Sequence, residues 1–162
     1  MDALSRYTIS RANPTAPGPA NLIETHLADS HDITDNTSNH TMGAADLCAA
    51  NIRFWTISQA DDLLGCGALK THTGGVAEIK SMHVIARARG RGIARILLEF
   101  LIEQARHDKS REIVLETGTM DAYAAARALY ERQGFAYCGP VAGYDDDPNS
   151  AFMRLALEPD AQ

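Results

Sequence analysis

Hydrophobic positions recur with two different periods along this chain, and the pattern is clearest after residue 51. Residues 52–58, 63–71 and 76–85 are rich in β-branched, aromatic and aliphatic side chains, and short turn-forming stretches separate them. Such segments are typical of β-strands. Because the connections are short, we expect the three strands to form an antiparallel meander. The glycines within 63–71 indicate a bulge or a close backbone approach.

The second period belongs to a helix that follows the meander. Five apolar side chains recur at the spacing of one helical face: Ile93, Ile96, Leu97, Phe100 and Leu101. We expect this helix to end between residues 107 and 110, and residues 111–118 to form a buried strand. Residues 121–134 predict an alanine-rich helix, with Asp121 as its N-cap and Gly134 just beyond its C-terminus.

The remaining segments complete the predicted order of elements. Residues 135–139 and 151–157 predict two final strands. A strand–helix–strand unit requires a crossover with parallel pairing, so we expect an α+β fold with a mixed sheet. The first 51 residues are less regular. A short strand at 6–10 and helices at 20–32 and 42–51 are the expected elements there.

Composition bounds the class of protein. The chain has 162 residues, 45% of them hydrophobic and 22% charged, so we expect a single domain over residues 1–162. No stretch is apolar enough for a membrane helix, and the N-terminus lacks a signal-peptide layout. The three cysteines, Cys48, Cys66 and Cys138, favour reduced thiols and a cytoplasmic location. A net charge of −6 argues against binding to nucleic acid.

A basic loop interrupts this acidic chain just before the amphipathic helix. It carries four arginines and two glycines: Arg87, Arg89, Arg91, Arg95, Gly90 and Gly92. The first N–H groups of a helix lack internal partners, and the helix dipole places positive potential there. Glycines let the backbone approach a ligand closely. The loop therefore indicates a cradle for a phosphate group, with a solvated basic turn as the alternative.

The glycine spacing excludes two common nucleotide loops. The chain has no G-x-x-x-x-G-K-[ST] string, and the pattern G-x-G-x-x-G begins at Gly90 and Gly92 but fails at Arg95. The segment RGRGIA instead fits [Q/R]-x-x-G-x-[G/A], with Arg89, Gly92 and Ala94 in the defining positions. This segment resembles the acyl-CoA-binding loop of the GNAT family of N-acetyltransferases.

Two further segments extend the resemblance. EIKSMHV matches the central strand of that family, and ARALYERQGF, residues 126–135, resembles its A-x-x-LYE-x-x-GF segment. Residues 52–157 would form the acetyl-CoA-binding core, and residues 1–51 a variable region on the substrate side. The resemblance implies a mixed, mostly antiparallel central sheet with helices on both faces. It also implies acetyl-CoA as co-substrate, no metal, and direct attack by an amine of a small molecule or peptide.

The resemblance assigns the catalytic roles. The tyrosine of the LYE segment faces the coenzyme sulfur in such enzymes, so Tyr130 is the candidate acid that protonates the thiolate. Its alternative is a ring packed between helix and sheet. Glu78 lies eleven residues before Arg89, the spacing of the strand glutamate that acts as base in histone-acetylating members. Its alternative is an ion pair with Lys80 or Arg87.

The resemblance also implies the residues that bind the coenzyme. The backbone of Met82, His83 and Val84 would follow the pantetheine arm, although we expect the His83 side chain to lie on the surface unless it serves as a substrate-side base. Tyr123 stands where relatives often carry asparagine, and it would share a helix face with Tyr130. The coenzyme contact at this position must therefore differ. The loop residues at the pyrophosphate would be Arg89, Gly90, Arg91, Gly92, Ile93, Ala94 and Arg95.

The regions that frame the acceptor in this family are acidic here, which favours an amine. Their polar residues are Glu24, His26, Asp29, His31, Asp32, His40, Glu116, Tyr144, Asp145, Asp146 and Asp147. The histidine spacing matches no zinc pattern, and we expect Trp55 in the core. A CoA-binding regulatory module without turnover, a longer acyl-CoA donor and a hydroxyl acceptor stay open as alternatives. A homodimer is common among relatives.

Overall fold

A seven-stranded sheet forms the centre of the protein in a computed structural model, which describes residues 6–33 and 42–157. The strand order is β1-β2-β3-β4-β5-β7-β6, and only the contact between β4 and β5 is parallel. The strands are β1 (Thr8–Arg11), β2 (Ile52–Gln59), β3 (Asp62–His72), β4 (Val76–Val84), β5 (Glu112–Gly118), β6 (Ala136–Cys138) and β7 (Ser150–Ala156). The helices are α1 (Pro17–Ile33), α2 (Ile93–His107) and α3 (Ala124–Arg132).

The predicted arrangement of the chain after residue 51 is confirmed. Strands β2, β3 and β4 pair as an antiparallel meander, and α2 crosses over to bring β5 parallel to β4. None of the helices within residues 6–33 and 42–157 is long and apolar enough to cross a membrane.

Two predicted helices differ from the structure. Residues 42–51 contain only a short 3-10 turn at Asp46–Cys48. The helix predicted over 121–134 begins at Ala124, because a 3-10 turn closed by the Tyr123 N–H on the Met120 carbonyl comes first. The prediction of Asp121 as N-cap is therefore wrong. Gly134 does follow the helix with φ of 99°, as predicted.

Alternating side chains bury opposite faces of the sheet against different helices. Trp55, Leu69 and Ile79 belong to the core that packs under α2 and α3, and Trp55 is only 4% exposed, as predicted. Phe54 and Ala68 point the other way, into a core shared with α1. Each buried aliphatic or aromatic side chain contributes about 1.5–3 kcal/mol to stability. The helices thus cover both faces.

Strands β4 and β5 separate after their first three paired residues. Their register runs from the pair Val76–Glu112 to the pair Glu78–Val114 and stops, although β4 continues to Val84. On its other side β5 stays paired with β7 from Glu112 onward along its whole length. The backbone beyond Glu78 therefore opens between two strands in the middle of the sheet.

A bulge in β4 lies beside this opening. Cys66 pairs with His83 and Ala68 with Lys80, so one glycine, Gly67, stands opposite two residues of β4. Ser81 takes up the extra length with φ of 52°. A bulge bends its strand and increases the local twist, which turns the end of β4 away from β5. Strand β3 carries a glycine at this point because the side chains of α2 pack directly on Gly67.

Gly65 tests how closely β3 and β4 approach. A Cβ added there would lie 2.6 Å from the His83 carbonyl oxygen, which is a backbone atom and cannot move aside easily. We expect Gly65→Ala to lower the melting temperature by about 5 °C, since overpacking costs about 1–3 kcal/mol. Gly139→Ala is the matched control, because a Cβ there meets nothing within 4 Å. Equal melting temperatures for the two variants in thermal unfolding would contradict the close approach.

Candidate active site

A cavity of about 130 Å³ fills the opening between β4 and β5. Glu78, Lys80 and Glu116 enter it from the face that carries α1, and Tyr130 enters it from α3 on the opposite face. The separation of the two strands thus joins the two faces of the sheet at one point. The remaining lining includes Met82, Leu115, Gly118, Tyr123, Tyr144 and Asn149.

Glu78 is held by three side chains inside this cavity. Its carboxylate is 1% exposed, and Oε1 lies 2.8 Å from Nε2 of His72. Oε2 accepts a hydrogen bond of 2.8 Å from the Tyr144 hydroxyl and lies 3.3 Å from Nζ of Lys80. Lys80 also donates to the Tyr144 hydroxyl. The sequence left Lys80 and Arg87 as possible ion-pair partners of Glu78. In the structure Glu78 pairs with Lys80, and Arg87 pairs with Asp62.

Tyr130 lies with its ring in the core and lines the cavity. It is 7% exposed and packs edge-on against Phe135 at 5.8 Å between ring centroids. Burial, and next the charge of Glu116, raise the pKa of Tyr130 to about 12. The phenol is therefore fully protonated near neutral pH, the state that a hydrogen-bond donor to sulfur requires. The Tyr130 side chain therefore both packs in the core and lines the cavity.

Glu116 is a second carboxyl group in the cavity, which the sequence indicated only as part of an acidic region. Its Oε1 accepts a hydrogen bond of 2.9 Å from the Ser150 hydroxyl. Burial raises the pKa of Glu116 from 4.5 to about 7, against the opposing effects of Ser150 and Lys80. Charge on this group therefore changes within the neutral range. Neither pattern nor spacing could show this, because it depends on where β5 and β7 place the side chain.

The basic loop leads directly into α2. A 3-10 turn at Ala86–Ala88 follows β4, and Gly90 and Gly92 then adopt φ of 81° and 79°. Gly92 is the N-cap of α2 and, as a glycine, has no side chain with which to cap the helix. A Cβ at either glycine would meet nothing within 4 Å, so the positive φ, not crowding, requires glycine. The first backbone N–H groups of α2 directly follow this loop, and such groups have no partners within a helix.

The arginines of the loop have partners within the protein. Arg87 makes two hydrogen bonds of 2.6 and 2.8 Å to Asp62. Arg89 donates to the Val84 carbonyl at 3.2 Å and lies 3.6 Å from Asp29 of α1. The two others have weaker contacts: Arg91 with the Arg87 carbonyl and Arg95 with Glu99. The side chains of Arg87, Arg89 and Arg95 are more than half exposed, and Arg91 is exposed as well. The charge of all four arginines therefore reaches solvent.

His83 is buried, and the expectation of a surface position is wrong. It is 7% exposed, and its ring lies 5.0 Å from that of His26 on α1. Burial lowers the pKa of His83 and brings the pKa of His26 to about 4, so both rings are neutral at pH 7. Nε2 of His83 has no hydrogen-bond partner among the described residues. The sequence could not show this packing because α1 supplies it.

The other predicted coenzyme contacts fall in different places. Met82 lines the cavity, whereas Val84 lies at the end of β4 among the apolar side chains near the loop. Tyr123 lines the cavity with Tyr130, but it precedes α3 instead of sharing a helix face with Tyr130. Its ring packs against Gly118, where a Cβ would come within 2.3 Å of a ring carbon.

The residues predicted to frame the acceptor are also divided between the cavity and the exposed surface. His26, Glu116 and Tyr144 reach the cavity, whereas Glu24, Asp145 and Asp146 are exposed away from its lining. His40 lies outside the described residues, as do the side chains of His31 and Asp32. Over the described ranges no group of three or more histidine, cysteine, aspartate or glutamate side chains could hold a metal ion. The cysteines are free thiols, and burial raises the pKa of Cys66 to about 12.

Comparison with known proteins decides the family. Residues 21–135 match the family model for the acetyltransferase (GNAT) family. The chain belongs to the GNAT family. It is thus an acetyl-CoA-dependent acyltransferase, and the fold and family expected from the loop and the LYE segment are confirmed.

Relatives and solved structures resemble this GNAT chain over nearly its whole length. The uncharacterised N-acetyltransferase YsnE of Bacillus subtilis is 40% identical over 136 residues, which cover 84% of this chain and 90% of YsnE. An IAA acetyltransferase of Azospirillum brasilense is 39% identical, covering 95% of this chain and all of that protein. A crystal structure from Klebsiella pneumoniae, assigned to the acyl-CoA N-acyltransferases, superposes with a TM-score of 0.77 at 28% identity, covering 97% of this chain and 100% of that chain.

The pKa of Glu116 predicts a dependence of stability on pH. The folded protein binds the Glu116 proton more tightly than the unfolded chain, so stability present below pH 4.5 is lost as the pH rises through about 7. Glu116→Gln cannot ionise and avoids that loss. We expect it to melt about 5 °C above wild type at pH 8 and level with it at pH 4, on the order of 2 kcal/mol.

Glu103→Gln is the control for this measurement. Glu103 is exposed and forms a surface ion pair with Arg106 on the same helix, so its removal changes stability little. Melting curves from pH 4 to 8 for the three proteins are sufficient. A Glu116→Gln protein that melts with wild type at every pH would contradict the raised pKa.

Proposed function

We propose that this protein transfers an acetyl group from acetyl-CoA to a primary amine of a small molecule or peptide, by direct attack in a ternary complex. The observation that carries the proposal is one cavity that joins a buried tyrosine on one face of the sheet to two carboxyl groups on the other. The tyrosine can serve as an acid for the leaving sulfur and a carboxylate as a base for the amine.

The donor would enter from the side of the basic loop. The free N–H groups at the start of α2 and the exposed arginines favour a pyrophosphate, since a helix N-terminus binds anions. From that loop the pantetheine arm would run along β4, past the bulge at Ser81, where the parting of β4 and β5 leaves backbone groups available. Arg89 through Arg95, with Met82 and His83, would make these contacts.

Proton transfer would proceed between the two faces. Glu78 would accept a proton as the amine attacks the thioester carbonyl carbon, the C–N bond forms and the C–S bond breaks. Tyr130 would donate its phenolic hydrogen to the departing sulfur and would recover a proton from the second N–H that the nitrogen loses as the amide forms. The pKa of Tyr130, raised to about 12, keeps the phenol protonated before the reaction and makes the phenolate quick to regain its proton.

The acceptor would approach from the face that carries α1. Glu78 and Glu116 give this side of the cavity two acidic groups, which favours a cationic amine over a neutral hydroxyl. The volume of about 130 Å³ lies well below the roughly 300–1,000 Å³ of pockets that enclose a whole ligand. It suits the reacting ends of two substrates and a short acyl group. Among relatives, the IAA acetyltransferase of Azospirillum brasilense bears a substrate in its name, and peptide amines are the other class to test.

A ligand and activity screen tests the proposal. Acetyl-CoA and CoA should raise the melting temperature, and NAD should not. Release of CoA thiol should then depend on an added amine, surveyed over small amines, amino acids and peptides. Stabilisation without thiol release would favour a regulatory CoA-binding module. Faster release with hydroxyl acceptors or with a longer acyl-CoA would reassign the substrate.

Substitutions separate the two halves of the site. We expect Tyr130→Phe to lower kcat about 10²-fold with little change in the Kd of acetyl-CoA, because the phenol acts on the leaving group. Arg89→Ala should do the reverse and weaken acetyl-CoA binding about tenfold. Steady-state kinetics and calorimetry measure the two effects, and Arg106→Ala, at the far end of α2, is the matched control. Wild-type kcat in Tyr130→Phe would remove the proposed acid.

A further inference from the structure

Glu78 lies at the inner end of a short line of polar groups that leads to the surface. Its carboxylate is 1% exposed, whereas the His72 side chain, 2.8 Å away through Nε2, is 24% exposed. His72 is the last residue of β3, directly before the turn at Gly74 and Gly75. That turn sets the register in which Lys70 pairs with Glu78, and it places His72 diagonally across from the carboxylate.

A buried base needs a way to lose its proton. An amine that arrives as an ammonium ion releases one proton for each acetyl group transferred, and Glu78 has almost no contact with solvent. A carboxyl group that stays protonated cannot serve the next turnover. The proton must therefore pass to a neighbouring group that also reaches water.

Among the described side chains that contact Glu78, His72 alone meets both conditions. Lys80 is 9% exposed and its ammonium group has no lone pair to accept a proton. Tyr144 donates its own hydrogen to Glu78, and burial, then the charge of Glu78, raise the pKa of Tyr144. An imidazole exchanges protons with water near neutral pH through either ring nitrogen.

We propose that His72 is the proton exit of this site, a positioning and relay residue that acts through Glu78. The inference rests on the proposed function. In each turnover Glu78 takes the amine proton and Oε1–H passes it to the Nε2 lone pair of neutral His72. The imidazolium then rotates toward solvent, gives its Nε2 proton to water and returns to Glu78 as the starting tautomer. The sum is ammonium plus acetyl-CoA giving the acetamide, CoA thiol and one released proton.

The charged groups around His72 suit a relay. Glu78 and Lys80 face it from β4, Lys70 lies on the same face of its own strand, and Tyr144 reaches the carboxylate from the loop before β7. Lys80 and Tyr144 both bind Oε2, which leaves Oε1 to His72. The two oxygens of Glu78 are therefore divided between fixed donors and a group that can carry a proton away.

His72→Gln tests the relay, because glutamine keeps a polar amide beside Glu78 but cannot carry a proton to water. We expect kcat for the amine to fall about tenfold with the KM of acetyl-CoA unchanged. Added imidazole should restore most of the lost kcat in a concentration-dependent way, since it can take the proton from Glu78 instead. A role in packing alone would not respond to imidazole.

His107→Gln is the matched control, because His107 is exposed in the last turn of α2. It should retain the wild-type kcat with and without imidazole. Wild-type kcat in His72→Gln, or a loss of kcat that imidazole leaves unchanged, would overturn the relay while leaving the acetyltransferase proposal in place. A wild-type protein that acetylates no amine would instead overturn the proposed function, and the relay with it.

Discussion

The parting of β4 and β5 after Glu78 is the constraint on which the rest of the site depends. A central pair of strands normally uses its N–H and C=O groups on each other, and unpaired groups inside a protein are destabilising. Here the separation is maintained by neighbours: β5 stays paired with β7 throughout, and the bulge at Ser81 turns β4 aside while it remains paired with β3. In the proposed reaction, a gap supported in this way would give two substrates access to one point from opposite faces and would leave backbone groups of β4 available to a ligand.

The two carboxyl groups in the gap differ because their surroundings differ. Glu78 receives contacts from His72, Lys80 and Tyr144, so polar groups lie against both of its oxygens. Glu116 accepts a hydrogen bond from Ser150, and burial raises its pKa to about 7. Two identical functional groups on adjacent strands thereby have different environments, and in the proposed reaction one would handle a proton while the other supplies a charge that varies with pH.

Local signals in the sequence carried much of the fold and part of the site. Periodicity predicted the meander and α2, and two short motifs predicted the loop and Tyr130, because each of these features is complete within one stretch of chain. His72, Lys80 and Tyr144 could not be assembled around Glu78 in the same way. Their meeting depends on the register of β3 with β4 and on the path of the loop before β7. His83 was misjudged for a similar reason, since its environment is a ring from α1, and the expected Asp121 cap gave way to a 3-10 turn.

The backbone conformation of the basic loop depends on two glycines. Gly90 and Gly92 hold their positive φ in open space, so these two positions require glycine for backbone conformation and not for lack of room. Backbone geometry and electrostatic strength are consequently separable traits in this protein. A substitution at one of the arginines would change the charge that the loop offers to an anion, whereas any other residue at Gly90 or Gly92 would be strained by the positive φ of the turn.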